Sequence, residues 1–299
     1  HKTMSNKFDR VFDALEKTNT NWTVNKLPLV SECGKETESY GLFRNDNGAW
    51  LGTVGSRYCE YQNSALAELV IEATDQLNLA VTKGGVLQGG RKVYYQIALP
   101  DAHVGNSGIK RYVTAVNSHD GSSSIGLGST NTVIVCQNTF FRAYREVQRI
   151  KHFANASTRL KVMAENLQHT IAKDDKLIEV YKRFAQVDLK DEMIDRVIRS
   201  VFKTEQKRKV NPDLSTRTKN EIAVFGDNLR TEVATHGLTV WSLFNAVTRF
   251  TNHHVAPKDE SKRLDFLMTG SGQQISNLAF NELLQYIDAN LEEGELVLV

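Results

Sequence analysis

The chain has 299 residues, of which 40% are hydrophobic and 24% are charged, and its formal net charge is +2. This composition predicts a globular protein with a buried core, in one large or two smaller domains. The balance of charge neither favours nor excludes nucleic acid, so only local clusters are informative. No apolar run reaches the roughly 18 residues of a membrane span. The three cysteines, Cys33, Cys59 and Cys136, are widely spaced and form no CxxC pair, so we expect no metal site, and we expect no cofactor. Three thiols without a disulfide framework fit a reducing cytoplasm.

The first half of the chain is rich in strand-like segments separated by turn signals. Alternation, helical spacing of apolar residues and Gly- or Asn-rich turns divide it into elements. In chain order these are a helix over 7–17, an edge strand over 22–29, a hairpin over 40–54, a helix over 63–79 with Asn63 as its N-cap, a hairpin over 86–99, a strand over 110–117, a small-residue loop over 122–129 and a strand over 133–136. They predict a mixed, mostly antiparallel sheet with packed helices.

From Thr139 onwards the apolar residues follow helical spacing. Residues 139–151 are predicted as a helix on which Arg142, Arg145 and Arg149 share one face. Further helical patterns fill the chain to residue 291, and Ser215 is the predicted cap of a long helix. The fold class is therefore predicted to be α+β. The predicted organisation is a mixed sheet region over 4–138, an all-helical region over 139–291 and an acidic tail over 292–299.

His119, Asp120 and Cys136 are the residues whose chemistry would suit a catalytic site. His119 and Asp120 could be a base and its orienting carboxylate, but adjacent residues in a strand or turn point apart, which is poor geometry for a dyad. A turn at Asp120-Gly121 is the simpler interpretation. Cys136 could be a nucleophile with His119 or His152 as its base, but it ends an apolar run and free cysteine is usually buried. We therefore predict no catalytic residue and keep a pocket of these three residues as an alternative.

Clustered basic residues give the stronger signal. The predicted arginine helix begins after Asn138, where backbone N–H groups could hold an anion, and basic residues alternate with tyrosines on the predicted strands. This pattern is typical of proteins that bind single-stranded nucleic acid, because phosphates need cations and bases need stacking faces. A solvated surface or a small anionic ligand are the alternatives. The predicted phosphate-binding residues are Arg57, Arg91, Lys92, Lys110, Arg111, Asn138, Arg142, Arg145 and Arg149, and the predicted base-stacking residues are Tyr58 and Tyr94.

Several short motifs occur in an order and spacing that resemble a known family. They are Gly55–Tyr58 with Gln62-Asn63, Gly84–Arg91, Asn117–Gly121, Val135–Thr139 and Trp241–Val247. Over roughly residues 40–255 the chain is similar to the phage/plasmid-like protein family, a domain of unknown function found in phages, plasmids and bacteria. The resemblance implies a role in DNA metabolism and carries no activity that can be transferred.

The basic pattern and the resemblance together predict a phage or plasmid protein that binds single-stranded DNA non-specifically. Replication or recombination is the expected setting, with strand annealing as a further role. We expect single-stranded DNA as the partner, a homo-oligomer, a protein partner for the acidic tail, and no membrane. The expected location is the cytoplasm, which is the host's if the protein is phage-encoded. The alternatives are the enzyme described above and a non-catalytic protein that interacts with the host.

Overall fold

A computed structural model describes residues 7–77, 79, 81–133, 139–142, 149–152, 154–155, 158, 161–162, 165, 167–268 and 270–291. Two antiparallel sheets occupy the first half of the chain, and helices occupy the second. The predicted α+β fold class, with its N-terminal sheets and its C-terminal helical half, is confirmed.

The smaller sheet has three strands in the order β1-β2-β3. Its strands are β1 (Val24–Val30), β2 (Glu36–Arg44) and β3 (Trp50–Gly55). The hairpin predicted over 40–54 is confirmed by the antiparallel pairing of β2 with β3. Strand β1 is an edge strand that contains Pro28, where the missing N–H does not interrupt a ladder on both sides.

The larger sheet is built on two long strands. Its path is β4-β5-β6-β7-β8, and β9 also pairs with β7. The strands are β4 (Val81–Leu87), β5 (Lys92–Val104), β6 (Ser107–Ser118), β7 (Ile125–Val133), β8 (Thr139–Arg142) and β9 (Arg149–Ile150). The loop predicted over 122–129 is wrong from Ile125 onwards, because Ile125 pairs with β9 and the residues from Gly126 pair with β6. A ladder is made by backbone groups, so small residues such as Gly126 do not prevent it.

The arginine-rich helix predicted over 139–151 is also wrong at both ends that the structure describes, 139–142 and 149–150. Arg142 lies in β8 opposite Ser129, and Arg149 lies in β9 opposite Gly126. Pairing with β7 overrides the local helical spacing, so these arginines do not form a helical stripe. The sheet therefore continues past the predicted boundary after residue 138. Three residues singled out from the sequence, Cys136, Asn138 and Arg145, lie outside the described residues.

Two helices pack on the sheets and the others form the second half. The helices are α1 (Lys7–Lys17), α2 (Asn63–Gln76), α3 (Leu167–Gln186), α4 (Asp191–Phe202), α5 (Thr204–Val210), α6 (Thr216–His236), α7 (Val240–Phe250), α8 (Glu260–Met268) and α9 (Ser271–Leu291). The Ser215 side chain accepts a hydrogen bond from the backbone N–H of Thr218, which confirms the predicted cap of α6. Within the described ranges, no helix is both long and apolar enough to cross a membrane.

The two halves share one hydrophobic core at the tip of the β5–β6 hairpin. Val104 and Ile109 are fully buried in the cluster that α3, α4, α6, α7 and α9 form. In that cluster Tyr181 stacks on Phe244, with 5.5 Å between ring centroids. A second cluster lies between the sheets and α2. The hairpin tip therefore anchors the sheet region to the helical region.

A buried ion pair strengthens this anchor. Arg111 of β6 donates from Nε to Asp174 Oδ2 of α3 at 2.7 Å, and the Asp174 side chain is completely buried. Asn131 of β7 donates to the other oxygen of Asp174 at 3.2 Å. The guanidinium also contacts Asp175, which is exposed. Every group in the pair therefore has a partner, which a buried charge requires.

We predict that Asp174→Ala strongly destabilises the fold. The substitution removes the buried carboxylate and leaves Arg111 with only the exposed Asp175, so the free energy of unfolding should fall by about 3 kcal/mol in urea denaturation. The matched control is Glu179→Ala on the same helix. Its pair with Lys182 is exposed, so it should cost about 0–1 kcal/mol. Equal small losses for both variants would contradict this account of the anchor.

Candidate functional site

A cleft of about 930 Å³ opens where β3 ends beside the loop that follows β6. Three segments line it: Gly55–Tyr58, Gly121–Ser124 and Lys151-His152. The first two fall in stretches that the sequence motifs and the predicted loop already marked. The lining is rich in hydroxyl groups and carries two cationic side chains, Arg57 and Lys151, which are exposed. The motifs that are far apart in the sequence thus meet at one place.

Two glycines allow the loop to lie directly on β3. A Cβ atom at Gly52 would be 2.6 Å from the carbonyl oxygen of Asp120, closer than any side chain tolerates. Gly121 has a φ of +74°, and a Cβ atom there would be 2.9 Å from Val54. Larger residues at either position would push the loop away from the strand. These glycines therefore shape one wall of the cleft.

Behind this wall lies a buried network of two histidines and two asparagines. His119 Nε2 is 2.7 Å from Asn63 Oδ1, and His152 Nε2 is 2.8 Å from Asn117 Oδ1. Asn117 Nδ2 donates to the carbonyl oxygen of Tyr61 at 2.7 Å. The exposed fractions of Asn63, Asn117 and His119 are 1%, 0% and 0%, and that of His152 is 5%. The network therefore runs from the core to the cleft, where His152 is a lining residue.

The oxygens of the two asparagines accept hydrogen bonds and so fix which nitrogen of each ring carries the proton. Asn63 donates from Nδ2 to the carbonyl oxygens of Thr20 and Trp22, so its Oδ1 accepts from His119. Asn117 likewise donates from Nδ2 to the carbonyl oxygen of Tyr61, so its Oδ1 accepts from His152. Each imidazole therefore carries its proton on Nε2 and has an unprotonated Nδ1 when neutral. Asn63 was predicted as an N-cap, and that is wrong: Gln62 occupies the cap position, and the Asn63 amide holds the network instead.

Burial keeps both imidazoles neutral. Desolvation, with His152 nearby, lowers the pKa of His119 to about 3. Desolvation lowers the pKa of His152 to about 4, although Asp120 opposes the shift. The Tyr58 ring stacks on His152 with 4.8 Å between centroids, and its hydroxyl donates to the carbonyl oxygen of Ser118. Burial raises the pKa of Tyr58 well above its usual value. The side of the cleft at His152 is thus a neutral hydrogen-bonding surface at pH 7.

Asp120 shapes the turn and forms no dyad with His119. Its Oδ1 accepts from the Ser118 hydroxyl at 2.6 Å and from the Ser122 backbone N–H at 2.9 Å. Burial alone would raise the pKa of Asp120, but these hydrogen bonds hold it below its usual value. His119 instead directs Nε2 to Asn63. The structure therefore has the turn that the sequence analysis favoured.

The predicted phosphate-binding residues lie in different surroundings. Arg57 and Lys110 are exposed, and the Arg91 guanidinium lies over the Trp50 ring, 5.6 Å from its centroid. Two others are corrected: Lys92 is buried with Nζ 2.6 Å from Asp265, and Arg111 is buried in the anchor described above. Ion pairs already satisfy these two charges, so they are not available to a phosphate. For Arg142 and Arg149 the structure gives only their positions in strands β8 and β9.

Protein contacts also engage the two tyrosines that were predicted to stack on bases. Tyr58 stacks on His152, and Tyr94 packs with Leu87, Val116 and Met268 under α8. Trp50, which the sequence analysis missed, has 52% of its surface exposed. No sequence pattern distinguishes an exposed tryptophan at the start of a strand from a buried one. Lys151 was expected only at the end of the helix predicted over 139–151, and His152 only as a possible partner for Cys136.

We predict that the neutral histidines make stability depend on pH. Their folded pKa values of about 3 and 4 lie below the ordinary value of 6.5, so the unfolded chain binds more protons. The free energy of unfolding should be highest above pH 6.5, the ordinary pKa of histidine, and should decline as the pH falls towards 4. The decline should be up to about 1.4 kcal/mol per pH unit for each histidine.

His119→Gln tests this in urea unfolding at a series of pH values. The glutamine amide can still donate to Asn63 but cannot titrate. The variant should therefore show a slope that is shallower by one histidine's contribution. An unchanged slope would show that the pKa of His119 is not depressed in the folded protein.

Comparison with known proteins identifies the family. A family model described as a domain of unknown function, DUF932, matches residues 50–268, which is more than two thirds of the chain. The matched range contains the cleft segments and the buried network. No curated protein and no solved structure matches the chain. The resemblance to a family of unknown function that the motifs indicated is confirmed, and the chain belongs to the DUF932 family.

Proposed function

We propose that the protein binds single-stranded DNA without sequence preference, along β3 and in the cleft at its end. Unneutralised cations on this surface carry the proposal. Arg57, Arg91 and Lys151 form no ion pair with any described carboxylate, whereas Lys92 and Arg111 do. Lys110 lies near the hairpin end of β6, away from this surface, and does not contribute to it. Cations that lack an internal partner can release counterions from a phosphate backbone, which is the main source of affinity in non-specific binding.

Strand β3 supplies a path for the DNA. Trp50 and its Arg91 partner lie at the start of the strand, and the cleft is lined from Thr53 to its end. The six residues of β3 span about 17 Å at roughly 3.3 Å per residue. An exposed aromatic ring followed by a cationic groove is the usual arrangement for a single strand, because unpaired bases stack and phosphates follow the cations.

Such contacts explain binding without sequence preference. Phosphate contacts position a strand but carry no sequence information, and every base presents a stacking face to Trp50. A strand held in this way keeps its base edges free for pairing. A cytoplasmic role in phage or plasmid recombination, replication or annealing, with a homo-oligomer along the strand, is therefore part of the proposal. The tail over 292–299, which we expect to bind a protein partner, lies outside the described residues.

The double variant Arg57→Ala/Lys151→Ala should weaken binding and reduce its salt dependence. Fluorescence anisotropy with a labelled oligonucleotide of mixed sequence, at several salt concentrations, gives both quantities. The loss of two phosphate contacts should reduce the slope of log K against log salt by about 1.4, since each contact contributes about 0.7. A duplex of the same sequence should bind more weakly because its bases cannot stack on the protein.

The matched control is Arg208→Ala/Lys219→Ala, which removes two exposed cations from α5 and α6. It should leave both the affinity and the salt slope close to those of the wild type. If this control loses binding while the cleft variant keeps it, the DNA lies on the helical half. If the wild type has no measurable affinity, or an affinity independent of salt, the proposed function is wrong.

Trp50→Ala should weaken binding by about 1–3 kcal/mol, the range for a base stacked on an aromatic ring. Because no charge is removed, the salt slope should stay that of the wild type. The same anisotropy titrations measure this. A reduced slope, or an unchanged affinity, would show that Trp50 does not stack on a base.

A further inference from the structure

We propose that His152 is a general base and that the cleft hydrolyses phosphodiester bonds of the single strands it holds. The inference rests on the proposed function, because the substrate must first bind along β3. It assigns to the site a reaction that strand binding alone does not require. Three features point to this reaction: the geometry of the Asn117–His152 pair, the cations that line the cleft and the buried network that holds the pair in place.

His152 is the cleft-lining residue that is best suited to accept a proton. Its Nε2–H donates to Asn117 Oδ1 at 2.8 Å, so Nδ1 carries the lone pair. Its backbone carbonyl accepts from the Cys59 N–H at 2.8 Å, and its ring is stacked on Tyr58. These three contacts hold the imidazole in one orientation. A base that is already oriented needs no rearrangement when the substrate arrives.

Asn117 is the positioning residue of this pair. An amide oxygen that accepts a hydrogen bond from one ring nitrogen selects the tautomer in which the other ring nitrogen is basic. The third residue of a hydrolase triad acts in the same way. The Asn117 amide is completely buried, and its hydrogen bond to the Tyr61 carbonyl oxygen fixes the orientation of the amide. The donor bond to Tyr61 leaves the Asn117 oxygen directed at His152 Nε2. This arrangement favours a role in orienting His152.

The charges around His152 suit a phosphodiester. In the free protein, burial lowers its pKa to about 4. A bound phosphate would bring negative charge into the cleft and so raise that pKa, because an opposite charge favours the protonated imidazole. Arg57 and Lys151 would hold the phosphate and neutralise the charge that develops during the reaction. The titratable groups around the imidazole are Tyr58, His119 and Asp120, with Lys151 next to it in the chain. The other titratable groups that line the cleft are Glu38, Tyr40 and Arg57.

The proposed step is a hydrolysis that needs only water as the second reactant. His152 Nδ1 takes a proton from a water molecule, and the water oxygen bonds to phosphorus. The bond from phosphorus to one sugar oxygen breaks, and that oxygen receives the proton back from His152. The products are one strand that ends in a phosphate monoester and one that ends in a hydroxyl group. The imidazole returns to its neutral form.

His152→Gln is the sharpest test. The glutamine amide can keep the hydrogen bond to Asn117 Oδ1 but has no basic nitrogen. Cleavage of an end-labelled single-stranded oligonucleotide, followed on denaturing gels, should fall by about 10²–10⁴-fold relative to the wild type, the usual contribution of a general base. Anisotropy on the same preparations should show that the variant still binds. The Arg208→Ala/Lys219→Ala variant should cleave as the wild type does.

Asn117→Asp tests the positioning role through the pH profile. A carboxylate beside Nε2–H raises the pKa of His152, so the fall in kcat/KM at low pH should move to higher pH. A merely structural role would lower the rate at every pH and leave that limb in place. If the wild type binds the oligonucleotide but cleaves no faster than His152→Gln, the inference is wrong and the proposed function stands. If the wild type does not bind, the proposed function fails and the inference fails with it.

Discussion

The Asn117 amide is the contact on which the rest of the site depends. It joins β6 to the segment before α2 through Tyr61 and to the cleft through His152. An amide buried in an apolar interior costs several kcal/mol unless all its groups are bonded. The hydrogen bonds that satisfy it also fix the tautomer of one histidine and the position of the loop beside it. Stability and site geometry are therefore set by the same interactions.

A second polar chain lies where the sheet meets the helices. Ser107, at the start of β6, is 3.1 Å from His236 Nδ1, and His236 Nε2 is 3.2 Å from Glu232 Oε2. Arg249 bonds the other oxygen of Glu232. Together with the Arg111–Asp174 pair, this chain orients the β5–β6 hairpin on the helical core. The same strand, β6, carries Asn117 at its other end, behind the wall of the cleft.

The sequence was informative where local chemistry decides the structure. Turn residues and alternation predicted the 40–54 hairpin, and helical spacing predicted α2 and the later helices. The arginine helix failed because Thr139–Arg142 and Arg149–Ile150 find backbone partners on β7, which no local pattern reveals. For the same reason Lys92 and Arg111 looked like surface cations. Their carboxylate partners, Asp265 and Asp174, are far away in the sequence. The motifs located the site, but only the fold showed that His119 and His152 share one network.

Ultraviolet cross-linking is the most direct test of the proposal that single-stranded DNA lies along β3 and in the cleft. Single-stranded DNA would be cross-linked to the wild-type protein, and the modified peptides would be mapped by mass spectrometry. We expect cross-links in the peptides that contain Trp50–Tyr58 and Gly121–Ser124. Cross-links confined to the helices between residues 167 and 291, with none at β3 or the cleft, would contradict the assignment.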